Sequence, residues 1–301
     1  MSAEEVVTEK GAGGMEYIKR IHSMSTPAWA AGIKAIACKC DYCHRSLGFR
    51  HFSSRKVGLT IRGRWYCSSL CLKSVIADRI AGLLSSAPVE RGYVSRMPLG
   101  LILISRGLLT NEQLKQAKAE HKESGDEIGE VLVRQGAVTE QQVAAVRAAQ
   151  WGCPVFATPK LVVRTGVQIP SSLFRPNSMI PLHYITATKS LMVGFVSSIE
   201  YGLLYAIEQI AGCKTEPCFI TRSEFELQME QHQQLGVQTV DGAPKEADLE
   251  GTQSARDMAE SLSDYAFESQ AVDILFAKVK KRIWARVKCE TRAFDMVFSP
   301  R

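Results

Sequence analysis

What this 301-residue sequence lacks narrows its function before any motif is considered. It has no Gly-x-x-x-x-Gly-Lys-Ser/Thr loop to cradle nucleotide phosphates. The nearest fragment, Gly212-Cys213-Lys214-Thr215, puts a cysteine between glycine and lysine, lacks the earlier glycine, and reads as an ordinary turn. No run approaches the roughly 18 apolar residues that a membrane span requires. The start, Met1-Ser2-Ala3-Glu4-Glu5, lacks the basic and then apolar order of a secretory signal. The expectation is a cytoplasmic protein, not inserted in a membrane, whose nine cysteines are reduced or metal-bound. Acidic residues are missing between Asp41 and Asp78, where Arg45, Arg50, Arg55, Lys56, Arg62, Arg64 and Lys73 all fall, so part of the net charge of +6 forms a basic island. A catalytic constellation is also missing. His183 beside Tyr184 has no nearby carboxylate in its strand-like run, and Cys153, Cys213, Cys218 and Cys289 read as scattered core thiols.

What is present is organised around a duplication. Leu99 to Leu114 returns 29 residues later as Ile128 to Val143, with Gly107 matched by Gly136 and Thr110 by Thr139. In each copy a short apolar stripe precedes a glycine placed for a left-handed helix cap. A threonine and a glutamine three residues on, Thr110 with Gln113 and Thr139 with Gln142, then form a capping box for the next helix. Two helix-turn-helix pairs joined by Lys122 to Glu127 predict a pseudo-symmetric four-helix bundle.

At these residues the chain resembles the N-terminal domain of type II secretion and type IV pilus assembly ATPases. The likeness continues through Gln150-Trp-Gly-Cys-Pro-Val155, Val167-Gln-Ile-Pro170, Met179-Ile-Pro-Leu182 and Leu191-Met-Val-Gly-Phe195, covering roughly residues 98 to 231. The resemblance implies a motor domain further on. The sequence lacks the motor's phosphate loop, so the expectation is a protein without the ATPase core and without enzyme activity. The resemblance also implies cyclic di-GMP binding in members whose copies begin Arg-Leu-Gly and end in Gln. That motif carries over onto Leu99, Gly100, Gly107, Ile128, Gly129, Gly136 and Gln150. The chain departs from it at the arginine positions, which hold Pro98 and Glu127, and at His121 in place of the first closing glutamine. Arginine's planar fork suits a guanine edge, whereas Glu127 repels a dianion; Arg96 stands two residues upstream as a substitute.

The sharpest chemical signal is Cys40-Asp-Tyr-Cys43 followed by Cys67-Ser-Ser-Leu-Cys71. A two-residue spacer lets one turn present two thiolates to one ion, and four soft ligands suit tetrahedral zinc. The strand-like Ile61 to Tyr66 and the helix-like run after Leu70 resemble a treble-clef finger, with Cys40, Cys43, Cys67 and Cys71 as structural zinc ligands and Cys38, His44 or His51 as possible replacements. Four closed thiolates leave no position for catalysis. The basic surplus among Phe49, Phe52, Trp65 and Tyr66 suits either nucleic acid or an acidic protein surface.

The rest alternates strand and helix. Ser190 to Val196 and Pro217 to Ile220 read as strands, Ile199 to Ala211 as an amphipathic helix, and Ser223 to Gln234 as a helix capped by Ser223 with Glu226. A polar stretch is expected to be a flexible linker. After it come a helix opened by Ser254 and strand-like runs at 271–276, 282–288 and 293–298; in the middle one Arg282, Trp284, Arg286 and Lys288 form an exposed basic face.

The expected fold is α+β and multidomain. Its parts are a tail with a short helix (1–35), a zinc finger (36–85), a duplicated small helical bundle (92–160), a small α/β domain (161–231), a linker (232–252) and a C-terminal helix plus antiparallel strands (253–301). The expected role is an adaptor that docks protein partners of a secretion, pilus or signalling assembly through the bundle and the finger. The alternatives are a cyclic di-GMP receptor or a nucleic-acid-binding regulator.

Overall fold

The computed structural model describes residues 36–40, 43, 45–47, 58–86, 96–156, 167–236 and 246–300. The expected N-terminal tail, His44, His51 and much of the basic island lie outside the described residues. Within them the architecture is mixed α+β, and no helix is long and apolar enough to cross a membrane.

The cysteine module opens with β1 (Ile36–Ala37) and β2 (Ser46–Leu47), paired antiparallel, then the hairpin of β3 (Leu59–Ile61) and β4 (Arg64–Tyr66). The hairpin turns through Arg62 and Gly63 at φ 48° and 73°. Two successive left-handed residues are what a tight two-residue hairpin turn needs. Helix α1 (Ser69–Ser85) starts at Ser68, whose hydroxyl accepts the Cys71 amide, and buries Leu72, Ile76 and Ile80.

The duplicated segment folds as two copies of one unit. Helices α2 (Leu99–Ser105) and α3 (Asn111–Ser124) are repeated by α4 (Ile128–Arg134) and α5 (Glu140–Trp151). Both short helices end alike: Gly107 and Gly136 are left-handed, and the amides after them, of Leu108 and Ala137, donate back to the Leu103 and Leu132 carbonyls. Thr110 with Gln113 and Thr139 with Gln142 each make both bonds of a capping box. Helix α3 lies on α4 and α2 on α5, and one shared core holds Leu99, Leu103, Leu114, Val131, Leu132 and Val146.

The α/β unit has a 3-10 turn (Ser171–Leu173), α6 (Phe174–Asn177), β5 (Met179–Ile185), β6 (Ser190–Phe195), α7 (Tyr201–Ala211), β7 (Lys214–Phe219) and α8 (Arg222–Gly236). Its sheet runs β5-β6-β7, antiparallel at the first pair and parallel at the second. The cap of α8 is not Ser223 with Glu226. Thr221 and Glu224, two residues earlier, exchange the capping bonds, while Ser223 binds Glu140 of the bundle and Glu226 pairs with Arg175. Both positions fit the capping pattern, and a tertiary partner for Ser223 decides between them.

The C-terminal part holds β8 (Glu246–Gln253), α9 (Ala255–Glu268), β9 (Asp273–Val279), β10 (Arg282–Lys288) and β11 (Ala293–Pro300) in the order β8-β11-β10-β9. The end of the expected linker is therefore a strand, β8, parallel to β11; 237–245 lie outside the described residues. The expected exposed basic face of β10 is also corrected: Trp284 is fully buried and Arg286 nearly so. That face meets the α/β unit, so Trp284, Ala277, Val279 and Val297 share a core with Phe195, Leu203 and Phe219. The opposite face carries α9 and, from the other end of the sequence, α1. Leu72, Ile76 and Ile80 pack there among Met258, Leu262 and Ile283, each burial contributing about 1.5–3 kcal/mol. The ion pairs Arg62 with Asp273 and Lys73 with Glu260 flank that seam.

Candidate functional site

Two features carry chemistry, the cysteine cluster and the duplicated motif. The Sγ atoms of Cys38, Cys40, Cys43 and Cys71 lie within 4.8 Å of one another. Cys67 stands beside this set without being one of its four mutually close thiols, its Sγ 3.5 Å from that of Cys43 and 3.4 Å from that of Cys71. The structure thus gathers the expected Cys40, Cys43, Cys67 and Cys71 and adds Cys38. The Cys43 amide donates to Cys40 Sγ at 3.3 Å, and the Cys67 amide to Cys38 Sγ at 3.4 Å. Ser68 ties the second pair to the helix start, donating its hydroxyl to Cys71 Sγ at 3.4 Å. Tetrahedral zinc with bonds near 2.3 Å separates its sulfurs by about 3.8 Å, so these spacings fit the ion. Burial pushes the Cys71 thiol up to about 11 and the Cys67 thiol upward; a divalent cation reverses that preference and holds thiolates. Cys38 stands two residues before Cys40, and that Cys-x-Cys spacing was the signal for it.

The other thiols are core groups. Burial pushes Cys218 up to about 12 and raises Cys153 and Cys213. His183 is exposed on β5. Of the basic island, Arg62 is engaged by Asp273 in a two-pronged contact.

In the duplicated motif, the residues singled out by the sequence are occupied with packing. Leu99 is core and Ile128 packs against it. A Cβ on Gly100 would sit 2.5 Å from Leu114 Cδ1, and one on Gly129 would sit 2.9 Å from Arg147 Nη2 and 3.1 Å from Val143 Cγ1. These glycines let crossing helices touch; Gly107 and Gly136 supply the left-handed caps. Gln150 Nε2 donates to the Met97 carbonyl at 2.6 Å. The arginine positions, Pro98 and Glu127, are the residues immediately before α2 and α4.

Sequence reasoning missed Arg147. It lies on the inner side of α5, 6% exposed, and donates to Glu127 Oε2 at 2.8 Å and to the Val196 carbonyl at 2.7 Å. A lone arginine among Val143, Ala144, Val146 and Ala148 was the available signal. It lines a cavity of about 280 Å³ between bundle and α/β unit together with Glu130, Glu140 and Arg222. Arg222 pairs with Glu130 across that seam. Arg96 lies over the Trp151 ring at 3.6 Å.

The part of the chain that known proteins resemble is the doubled helical bundle leading into the small three-stranded sheet. The chain is 27% identical over 136 residues, 44% of its length, to the type IV pilus assembly ATPase PilB of Thermus thermophilus, and it covers 15% of that protein. Solved structures similar to it include MshE with cdg, 20% identical, covering 45% of this chain and 99% of that one at a TM-score of 0.36. The N-terminal domain of XpsE is likewise 20% identical, covering 44% and 92% at a TM-score of 0.36. No family model matches.

Proposed function

We propose that this chain is a non-enzymatic adaptor of a bacterial secretion, pilus or signalling assembly, working in the cytoplasm and binding protein through its duplicated bundle. The supporting observation is where the motif's polar groups go. Glu127 is held by Arg147, Gln150 by the Met97 carbonyl, and Arg96 by the Trp151 ring. Apolar Met97 and Leu101, 58% and 48% exposed, are left on the outer surface. Apolar side chains in a polar surround suit a protein partner better than a dianionic nucleotide.

The cysteine module serves as a structural zinc staple. Cys40, Cys43, Cys67 and Cys71 hold the ion, and Cys38 accepts the Cys67 amide beside it. Bound there, zinc supplies charge and crosslinking but no open position for catalysis.

Photo-crosslinking in cells from a reactive residue at position 101 tests the adaptor reading. Products with proteins of a secretion or pilus assembly are expected, and products confined to this chain sink it.

A second reading, cyclic di-GMP reception, draws on the retained glycines and Gln150 and on the MshE structure with cdg. Calorimetric titration of the full chain separates the two. No heat at high nucleotide concentration is expected, and saturable heat abolished by Gln150→Ala reverses the preference.

A further inference from the structure

We propose that the groove along the outer edge of β9 receives an extended acidic segment of a partner protein, which adds to the C-terminal sheet as a further strand. Among the described residues β9 is the terminal strand of its sheet, paired with β10 alone. An open strand edge offers a row of amides and carbonyls to an incoming chain. Here that edge borders a cavity of about 1000 Å³ whose walls come from two helices on opposite faces of the sheet. Arg79 and Leu83 of α1 stand on one side, Tyr201 and Tyr205 of α7 on the other, with Phe276 and Lys278 of β9 between. Tyr205 is 54% exposed and Tyr201 39%.

The charge of the groove selects the partner. Four cations line it, Arg79, Lys278, Lys280 and Lys281, against two carboxylates, Glu200 and Glu208. Glu208 is turned to the Thr215 amide and hydroxyl, and Glu200 lies 3.7 Å from Lys280. Lys278 donates to the Leu84 and Ser86 carbonyls. The surplus favours an acidic ligand. Lysines alone can blunt a strand edge against aggregation, but blunting has no use for a deep groove walled by tyrosines. Two carboxylates oppose a continuous phosphate chain, whereas a strand spaces same-side residues about 6.8 Å apart and can set acidic groups between them. Neither Met97 nor Leu101 lines the groove, so this proposal does not rest on bundle docking.

The test is selection of a displayed random dodecapeptide library on the full chain, followed by amide exchange and titration with a synthetic selected peptide. Selected peptides are expected to carry acidic residues at alternate positions and to slow exchange in β9. Their affinity should fall about tenfold in R79E/K281E, the scale of one or two lost charge contacts at a rim; both side chains are exposed, and circular dichroism verifies the fold. Any of four results overturns the proposal: no enrichment, enrichment without acidic residues, unchanged β9 exchange, or unchanged affinity in the variant. Preferential binding of a fifteen-residue oligothymidylate, falling steeply with salt, would assign the groove to nucleic acid instead.

Discussion

Arg286 on β10 and Asp295 on β11 face each other across the sheet at 2.8 Å, both almost wholly buried. The same carboxylate accepts Trp284 Nε1 at 2.8 Å, and the guanidinium also reaches the Gln168 carbonyl at 2.6 Å, clamping the start of the α/β unit onto the sheet. Asp295→Ala leaves an uncompensated buried charge and is expected to cost about 3–5 kcal/mol. Replacing both residues by apolar ones of similar volume should recover most of that loss. Denaturant unfolding of the single and double variants measures it, and equal losses in both would show that the pair is not coupled.

The five gathered thiols are not equivalent. Cys43→Ser and Cys71→Ser are expected to abolish zinc retention, since both sulfurs belong to either choice of four ligands. Cys38→Ser should keep about one zinc per chain, as a four-thiolate site requires. Metal analysis of the purified variants decides; loss in Cys38→Ser with retention in Cys67→Ser would exchange those two assignments.

Chelation should be felt far from the cysteines. Helix α1 begins in the cluster and is packed on α9 and the β10 face, so metal removal is expected to speed amide exchange in α9 and β10 while the bundle is spared. Uniform change across the chain, or none beyond α1, would contradict this coupling.

Gly129→Ala is expected to destabilise by about 1–3 kcal/mol, the range for overpacking, because its methyl would strike Arg147 and Val143. The displaced Arg147 also loses its hold on Glu127 and the Val196 carbonyl. Thermal unfolding reads the loss. An unchanged melting temperature would show that the helices can part freely at this crossing.

Arg134 links the two copies by bonding Glu120 and Asp126, and its hydrogen bonds hold both carboxyls below their ordinary values of 4.5 and 3.8. Groups depressed by folding stabilise fully above their unfolded values, and the contribution fades as pH falls through the lower folded ones. Carbon-13 NMR titration should find both midpoints depressed and returned to ordinary values in Arg134→Gln. Ordinary midpoints in the parent chain would mean that solvent screens the clamp completely.

The duplication was legible because local chemistry specifies it. Thr110, Gln113, Gly107 and their counterparts fix caps that need no distant partner, and the structure has them where the spacing predicts. Cys40, Cys43, Cys67 and Cys71 converge for the same reason, each pair being set by a short turn or a helix start. Long-range partners were not legible. Arg286 and Trp284 alternate like an exposed face, but the α/β unit covers them and Asp295 satisfies them. Ser223 matches a capping pattern, yet Glu140 of another element takes it. Strand β8 follows Gly242 and Pro244 in a polar stretch that suggests a linker, and only the edge of β11 makes it a strand.

Lys73 and Glu260, which meet at the seam between α1 and α9, are separated by 187 residues. During synthesis the metal-bearing helix emerges long before the surface that covers Leu72, Ile76 and Ile80 exists. A half-made chain therefore shows an apolar stripe to the cell until α9 and β10 leave the ribosome, and the cysteine module waits on them to finish folding.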